Sequence, residues 1–466
     1  MKKLVFLIAV AFINCSLFAQ QITGDWNGVL HIQAGVQLRI VFHVTQNGDK
    51  YSSTMDSPDQ GAKSIPVGST SFSNPKLAIS MPNLMAEYNG TLQGDSIVGA
   101  FKQRGMTFPL NLTRHSSDKQ TIKRPQEPSA PYPYNLEEII IQNPSAGITL
   151  AGTLTLPKKE GIFPVVILIT GSRPQNRDEE VFGHKPFLII ADYLTRQGIA
   201  VLRYDDRGVA KSTGNFQAAT SADFASDVES AIAYLKTRKD IDLKKIGLIG
   251  HSEGGMIAPM VAAKSKDVRF IVSLAGTGMR GNQLLLLQQE LIGRASGVPE
   301  KEIEMWKEVS KKGMDMVLQA TDPKVLQQEL TRLLTDAILK QKGDTVQQKA
   351  AIETQVAQQV SQLTSPWMQF FMKYDPVPTL TKVRCPVLAL NGEKDLQVPA
   401  KENISAITNA LKRGGNKMVT TQIFPNLNHL FQECNTGLPS EYSSIEQTIS
   451  PVVLETIAKW IHQTIK

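Results

Sequence analysis

Residues 247–255 read GLIGHSEGG, a serine flanked by glycines at the spacing G-x-S-x-G. A serine hydroxyl is a weak nucleophile. It needs a base to take its proton, and the base needs a carboxylate to fix its tautomer. One class of strand–helix scaffold carries these groups in the order serine, acid, histidine, each just past the carboxyl end of a strand. Ser252 fits the first slot, because IGLIG reads as a strand before it and GGMIAPM as a helix start after it. Gly250 and Gly254, and less strictly Gly255, suit an elbow too sharp to admit a Cβ. CPVLALNGEKDLQVP offers Asp395 as the acid, with Glu393 a rival two residues earlier. TTQIFPNLNHLF offers His429 as the base. Of the seven histidines, His31, His43 and His115 fall in the first quarter of the chain and His462 in a terminal helix. His184 precedes Ser252, and His251 adjoins it and is expected to point away. A tetrahedral oxyanion also needs two N–H donors. The backbone of Glu253 supplies one. VVILITGSRPQNRDEE supplies the other, with Gly171 allowing a turn, Ser172 as donor and Arg173 as the alternative.

Elements must position these groups. From about residue 136 strand-like and helix-like runs alternate, and VVILI, IAVLRY, IGLIG and FIVSLA are nearly continuous in apolar residues, as buried parallel strands are. The expected fold class is α/β, a doubly wound and mostly parallel sheet over 136–466. The alternation stops between about 279 and 379, where LLLLQQELIGR, KEIEMWKEVSKK and VLQQELTRLLTDAILKQ read as an inserted helical cap. Residues 20–114 read instead as a separate all-β domain, a small barrel or sandwich, with QNGD at 46–49 as a hairpin turn. Residues 115–135 are polar and rich in proline, which predicts an extended linker.

Composition narrows the function classes. With 41% hydrophobic and 20% charged residues, the 466-residue chain is that of a globular protein of two or three domains. The net charge of +7 is scattered, so it reads as a solvated surface and not as a nucleic-acid footprint. Residues 1–19 have two lysines, a short apolar run and Ala19 before Gln20, the pattern of a cleaved signal peptide. That predicts an exported protein, periplasmic or secreted. Phe12-Ile13-Asn14 is a poor approach to lipidation at Cys15, and no later run suits a membrane span. Cys385 and Cys434 should sit at opposite ends of the sheet as unpaired packing residues, and no metal-ligand spacing is present. No metal or organic cofactor is expected.

Several stretches together carry a family resemblance. GHSEGG, NGEKD and NLNH resemble an α/β hydrolase. TGSRPQNRDE, HKPFLIIADYLTRQGIAVLRYDDRGVAKSTG and SPWMQFFMKYDP are similar to the secreted EstD-type bacterial esterases, near the serine aminopeptidase-like hydrolases. The resemblance covers roughly 135–465. It implies serine-dependent hydrolysis of a small-molecule carboxylic ester under a helical cap. The chain departs at Gly171-Ser172-Arg173-Pro174, where the family tends to have Gly-Ser-Gly-Pro. Arg173 would then narrow the acyl pocket or meet an acidic substrate group. Trp367, Met368, Phe370 and Phe371 either line that pocket or pack a helix. Asp205, Asp206 and Arg207 are expected to tie down the loop after the fourth strand. A peptidase or aminopeptidase with the same triad stays open, with Glu179, Glu180 or cap acids holding the substrate amine. So do a thioesterase, a non-catalytic binding protein on the same scaffold, and a homodimer.

Overall fold

The computed structural model describes residues 22–33, 36–60, 62–84, 86–103, 106–115, 124–342 and 349–466. The signal-peptide reading, Cys15 and the middle of the expected linker lie outside them. The chain divides into two compact units, Met1–Lys119 and Gln120–Lys466.

The first unit is a ten-stranded antiparallel sheet. Its strands run Gly24–Gln33, Val36–Asn47, Lys50–Ser57, Ala62–Pro66, Ser69–Ser73, Lys76–Met81, Ala86–Gln93, Ser96–Gln103, Met106–Pro109 and Leu112–Thr113. The short last strand pairs with the first through Gly28↔Leu112 and with the eighth through Leu112↔Ile97. That closes the sheet, so the unit is a barrel and not a sandwich. Closure removes the exposed edges that an open sheet would carry. At QNGD the register Asn47↔Lys50 leaves Gly48-Asp49 as the turn, with Gly48 at φ 60°. Trp26, Phe42, Tyr88, Ile97 and Phe101 fill the interior. The Trp26 indole N–H donates to the Ile22 carbonyl at 2.7 Å, which satisfies its one polar atom.

The second unit has an eight-stranded sheet. We label its strands β1 (Asn135–Asn143), β2 (Ile148–Leu156), β3 (Phe163–Ile169), β4 (Ala200–Tyr204), β5 (Ile241–His251), β6 (Val268–Leu274), β7 (Val387–Gly392) and β8 (Val419–Phe424). The order across the sheet is β1-β2-β4-β3-β5-β6-β7-β8. β2 runs antiparallel to both neighbours, and every other pair is parallel. This is the α/β-hydrolase order. In β3, Val165, Ile167 and Ile169 face one core and Val166 and Leu168 the other. Helices therefore cover both faces, which is why these strands read as unbroken apolar runs. The helices are α1 (Pro186–Arg196), α2 (Ser221–Leu235), α3 (Glu253–Ala262), α4 (Gly281–Ala295), α5 (Glu300–Gln319), α6 (Pro323–Lys342), α7 (Lys349–Leu363), α8 (Pro366–Lys373), α9 (Val377–Leu380), α10 (Ala400–Arg413) and α11 (Pro451–Thr464). The helices α4 to α8 form the cap between β6 and β7, with a core of their own around Val317, Leu330, Ile338, Val356 and Met372. Cys385 and Cys434 are unpaired.

The expected linker needs correction from residue 124 onward. Arg124 donates to the carbonyls of Phe182, Gly183, Ser443 and Ile445, and Gln126 bridges Thr448 N–H and Ile449 O. Tyr134 donates to Asp192 on α1 at 3.0 Å. This stretch is a strap on the second unit. Its prolines lower the entropy lost when the extended backbone is tied down.

Candidate active site

β5 ends at His251 and α3 begins at Glu253, so Ser252 is the whole connection. Its backbone lies at φ 52°, ψ −113°, a strained conformation for a residue with a Cβ. Ser252 N–H donates to Leu274 O at 2.8 Å, which anchors the elbow to β6. The glycines are required by contact. A Cβ on Gly250 would lie 2.0 Å from Gly254 O, and one on Gly254 would lie 2.1 Å from Ile169 O. Gly171 has a role different from the expected turn. It does not have a positive φ, but a Cβ there would come within 3.2 Å of the Ser252 Cβ. The positive φ belongs to Arg173, at 80°.

β7 leads to Asp395 and β8 to His429. Asp395 and His429 are 3% and 5% exposed, with Asp395 Oδ2 2.7 Å from His429 Nδ1. Asp395 Oδ1 accepts from the N–H groups of Gln397 and Val398, both at 2.8 Å. One carboxylate oxygen is thus fixed by backbone, and the other receives the Nδ1 proton. In the neutral ring that leaves Nε2 as the basic nitrogen. The rival Glu393 is exposed and accepts from Asn426 N–H at 3.2 Å, so it is not the partner of His429. Asn428 Oδ1 accepts from the N–H groups of Leu430 and Gln432 and folds the histidine loop around itself. Ser252 Oγ makes no hydrogen bond among the described residues. Such a contact often tightens only when substrate binds.

The N–H groups of Ser172, Arg173 and Glu253 have no acceptor among the described residues. They remain available beside the elbow. The loop that carries Ser172 and Arg173 is sewn to the end of β4. Asp206 accepts from Thr170 Oγ1 at 2.7 Å and from Gln175 N–H at 2.9 Å. Burial pushes the Asp206 carboxyl well above its ordinary range, against those two hydrogen bonds. Asp205 holds Arg177, and Arg207 holds Asp227 on α2 at 2.7 Å. Arg173 itself is exposed, and its side chain makes no hydrogen bond or ion pair among the described residues.

Three side chains near the elbow act in ways the motif does not reveal. Glu179 is buried, and its Oε1 accepts from Gly171 N–H at 2.8 Å and from His251 Nδ1 at 3.0 Å. It is therefore committed to the loop, which removes it as a free anchor for a substrate amine; Glu180 is exposed and bonded to Asn176. His251 does not point into empty protein: its Nε2 lies 3.0 Å from the carbonyl oxygen of His429. The Glu253 side chain reaches the cap. Its Oε1 accepts from Ser221 Oγ at 2.6 Å and from the Trp367 indole N–H at 2.8 Å, while Oε2 is buried without a partner. Burial raises this carboxyl to about 6, with the two hydrogen bonds opposing it. Only the residue types hinted at these roles: a histidine beside the serine, and acids in and after glycine turns.

Trp367 stacks on Phe371 with ring centroids 5.2 Å apart. Both join Met256, Leu284, Met279 and Val398 in an apolar cluster between the cap, α3 and the acid loop. Phe370 is not with them. It packs on the main core and stacks on Tyr374, which is ordinary helix packing. Met368 belongs to the core of the cap.

The family model for X-Pro dipeptidyl-peptidases of the S15 family matches residues 146–429, a stretch that holds Ser252, Asp395 and His429. The chain belongs to this S15 family. Among the relatives of this S15-family chain is the esterase EstD of Thermotoga maritima, 37% identical over 117 residues. That match covers 25% of this chain and 28% of EstD, so the chain is aligned with little more than a quarter of that relative. Two solved structures are also similar. An esterase of Pyrococcus furiosus is 14% identical with a TM-score of 0.42, covering 72% of this chain and 94% of that one. Est1E of Butyrivibrio proteoclasticus, solved with ferulic acid, is 16% identical with a TM-score of 0.41, covering 70% and 99%. This S15-family chain has the α/β-hydrolase fold.

Proposed function

We propose that the protein hydrolyses carboxylic esters through Ser252, His429 and Asp395. Ser252 Oγ attacks the ester carbonyl while His429 Nε2 takes its proton. Backbone N–H groups of Glu253 and Ser172 hold the oxyanion. The tetrahedral intermediate collapses, the alkoxide leaves with the proton carried by His429, and an acyl-serine remains. Water, deprotonated by His429, releases the acid and restores the serine. Asp395 keeps the Nδ1 proton in place and balances the charge of the protonated ring. The observation that supports this reading best is the buried Asp395–His429 contact of 2.7 Å, beside an elbow whose glycines exclude any other residue. The Trp367–Phe371 cluster gives an apolar seat for an acyl or alcohol group.

The family match favours a second reading, cleavage of a dipeptide ending in proline from a free amino terminus. The same triad would serve, with an amine as the leaving group. A panel of short p-nitrophenyl esters beside X-Pro anilides separates the two. Turnover of the esters, lost in Ser252→Ala while the melting temperature stays within about 1 °C, is the expected result. Turnover of the anilides alone would transfer the assignment to the peptidase. An enzyme active on neither, and inert to a fluorophosphonate, would be a binding protein on this scaffold.

A further inference from the structure

Beside the proposed triad lies a second histidine–carboxylate pair, and the acceptors around it constrain its protonation. His251 Nδ1 faces Glu179 Oε1 at 3.0 Å, and His251 Nε2 faces the main-chain oxygen of His429 at 3.0 Å. A neutral imidazole carries one N–H, so one of these contacts would set a lone pair against an oxygen. The carbonyl cannot donate. Glu179 Oε1 already accepts Gly171 N–H, as suits a carboxylate oxygen. Turning the ring over would place carbon at both contacts.

We infer that His251 is a permanent imidazolium, paired with Glu179, that positions the oxyanion loop and the His429 loop and opposes a second proton on the His429 ring. One charged pair touches three segments: the loop at Gly171, the elbow at His251, and the backbone at His429. The rings of His251 and His429 lie 4.8 Å apart, tilted by 44°. At that separation like charges repel, so a cation at His251 disfavours protonated His429 while Asp395 favours it. The charged groups that face His251 are Glu179 from the oxyanion loop and Asp395 from the acid loop, besides His429 itself. The cavity that His251 and Glu179 line is otherwise walled by apolar residues, among them Phe187, Ile190, Leu274 and Ile449. Burial opposes the charge on His251, but Glu179, the His429 carbonyl and Asp395 outweigh it and hold the ring above its ordinary value.

The inference rests on the reading of His429 as the general base. His251 and Glu179 are positioning residues, because neither is placed against substrate. In His251→Gln the amide N–H still reaches the His429 carbonyl, but the cation is gone. The acid limb of kcat/KM, which reports the free enzyme's base, is expected to move up by about one pH unit, a tenfold change in the protonation constant. A fall in kcat with the limb unmoved overturns the inference. Absence of any ester turnover in the unaltered protein would instead sink the functional reading. Independently of turnover or of the variant's folding, imidazole ¹⁵N spectra of the full chain test the charge. They are best recorded in a His43→Gln background, since His43 also faces two carboxylates, Asp25 and Asp56. One ring should stay doubly protonated near pH 8, and that signal should vanish in Glu179→Gln. Spectra in which every ring is neutral at that pH overturn the inference.

Discussion

The barrel and the carboxyl end of the hydrolase sheet bury their atoms differently. Inside the barrel Trp26, Phe42, Tyr88 and their neighbours are apolar, and among the described residues of that unit Ser57 is the only buried polar one. Around the elbow Glu179, Asp205, Asp206, His251, Glu253, Asp395 and His429 are all buried. A buried charge costs several kcal/mol unless it is paired, and an apolar residue of similar volume would often be more stable. The concentration of such groups at one end of one sheet therefore cannot be explained by stability. Pre-set polar groups lower a reaction barrier because they need no reorganisation when charge develops. The barrel shows what packing looks like without that requirement. The contrast singles out this end of the sheet without reference to the serine motif.

Two substitutions break the contrast from opposite sides. Asp395→Asn keeps an oxygen for the Gln397 and Val398 N–H groups but turns an N–H toward His429 Nδ1. On the proposed mechanism this forces the wrong tautomer, so kcat for an ester should fall about 10⁴-fold at nearly unchanged stability. Retention of more than a tenth of the rate would remove Asp395 from the triad. In the barrel, Trp26→Ala empties a site that is fully buried and lies under the Arg114 guanidinium, whose carbon is 4.3 Å from the ring centroid. The expected loss is about 3–5 kcal/mol of barrel stability. Hydrogen exchange over the barrel strands measures it. Ester turnover per fluorophosphonate-titrated site should stay within about twofold. A collapse of turnover would mean that the barrel serves the site and not only itself.

How far each region could be read from sequence follows the same division. The strands β3 to β6 announce themselves because both of their faces are covered, so VVILI and IGLIG carry no polar interruptions. KYSSTMDS and STSFS are barrel strands with one wet face and short apolar sides, and nothing in them outweighs a loop reading. The helix Lys349–Leu363 is similarly quiet, since KAAIETQVAQQVSQL buries little beyond Ile352, Val356 and Val360. The strap from Arg124 to Tyr134 reads as linker because its hydrogen bonds go to groups 58 to 323 residues away. Such bonds leave no periodicity. At the site, the order of serine, acid and histidine is a linear signal, so Ser252, Asp395 and His429 could be named. Phe370 could not be told from Phe371, because neighbours on a helix differ by 100° in direction and only packing decides which one meets the cap cluster. The Glu179–His251 pair depends on which nitrogen meets which oxygen, and no spacing encodes that.

The smallest effect sharpens the contrast most, because it isolates a single buried charge. Glu253 offers one oxygen to Ser221 and Trp367 and leaves the other unpartnered. Burial raises its carboxyl from 4.5 to about 6. The folded protein therefore keeps this proton over a range in which the unfolded chain has lost it. Stability from this group is fully present below about pH 4.5, falls as pH rises to about 6, and is flat above that. The total is about 2 kcal/mol. In Glu253→Gln the same oxygen can still accept from Ser221 and Trp367, but nothing titrates. The difference in unfolding free energy between variant and parent should then drift by about 2 kcal/mol in favour of the variant between pH 4.5 and 7. The amide's own unpaired N–H shifts that difference by a constant and leaves the slope alone. Denaturant titrations at a series of pH values measure it. A difference that does not change with pH would mean that Glu253 is solvated in the folded protein, and that Trp367 does not seal the cap over the elbow.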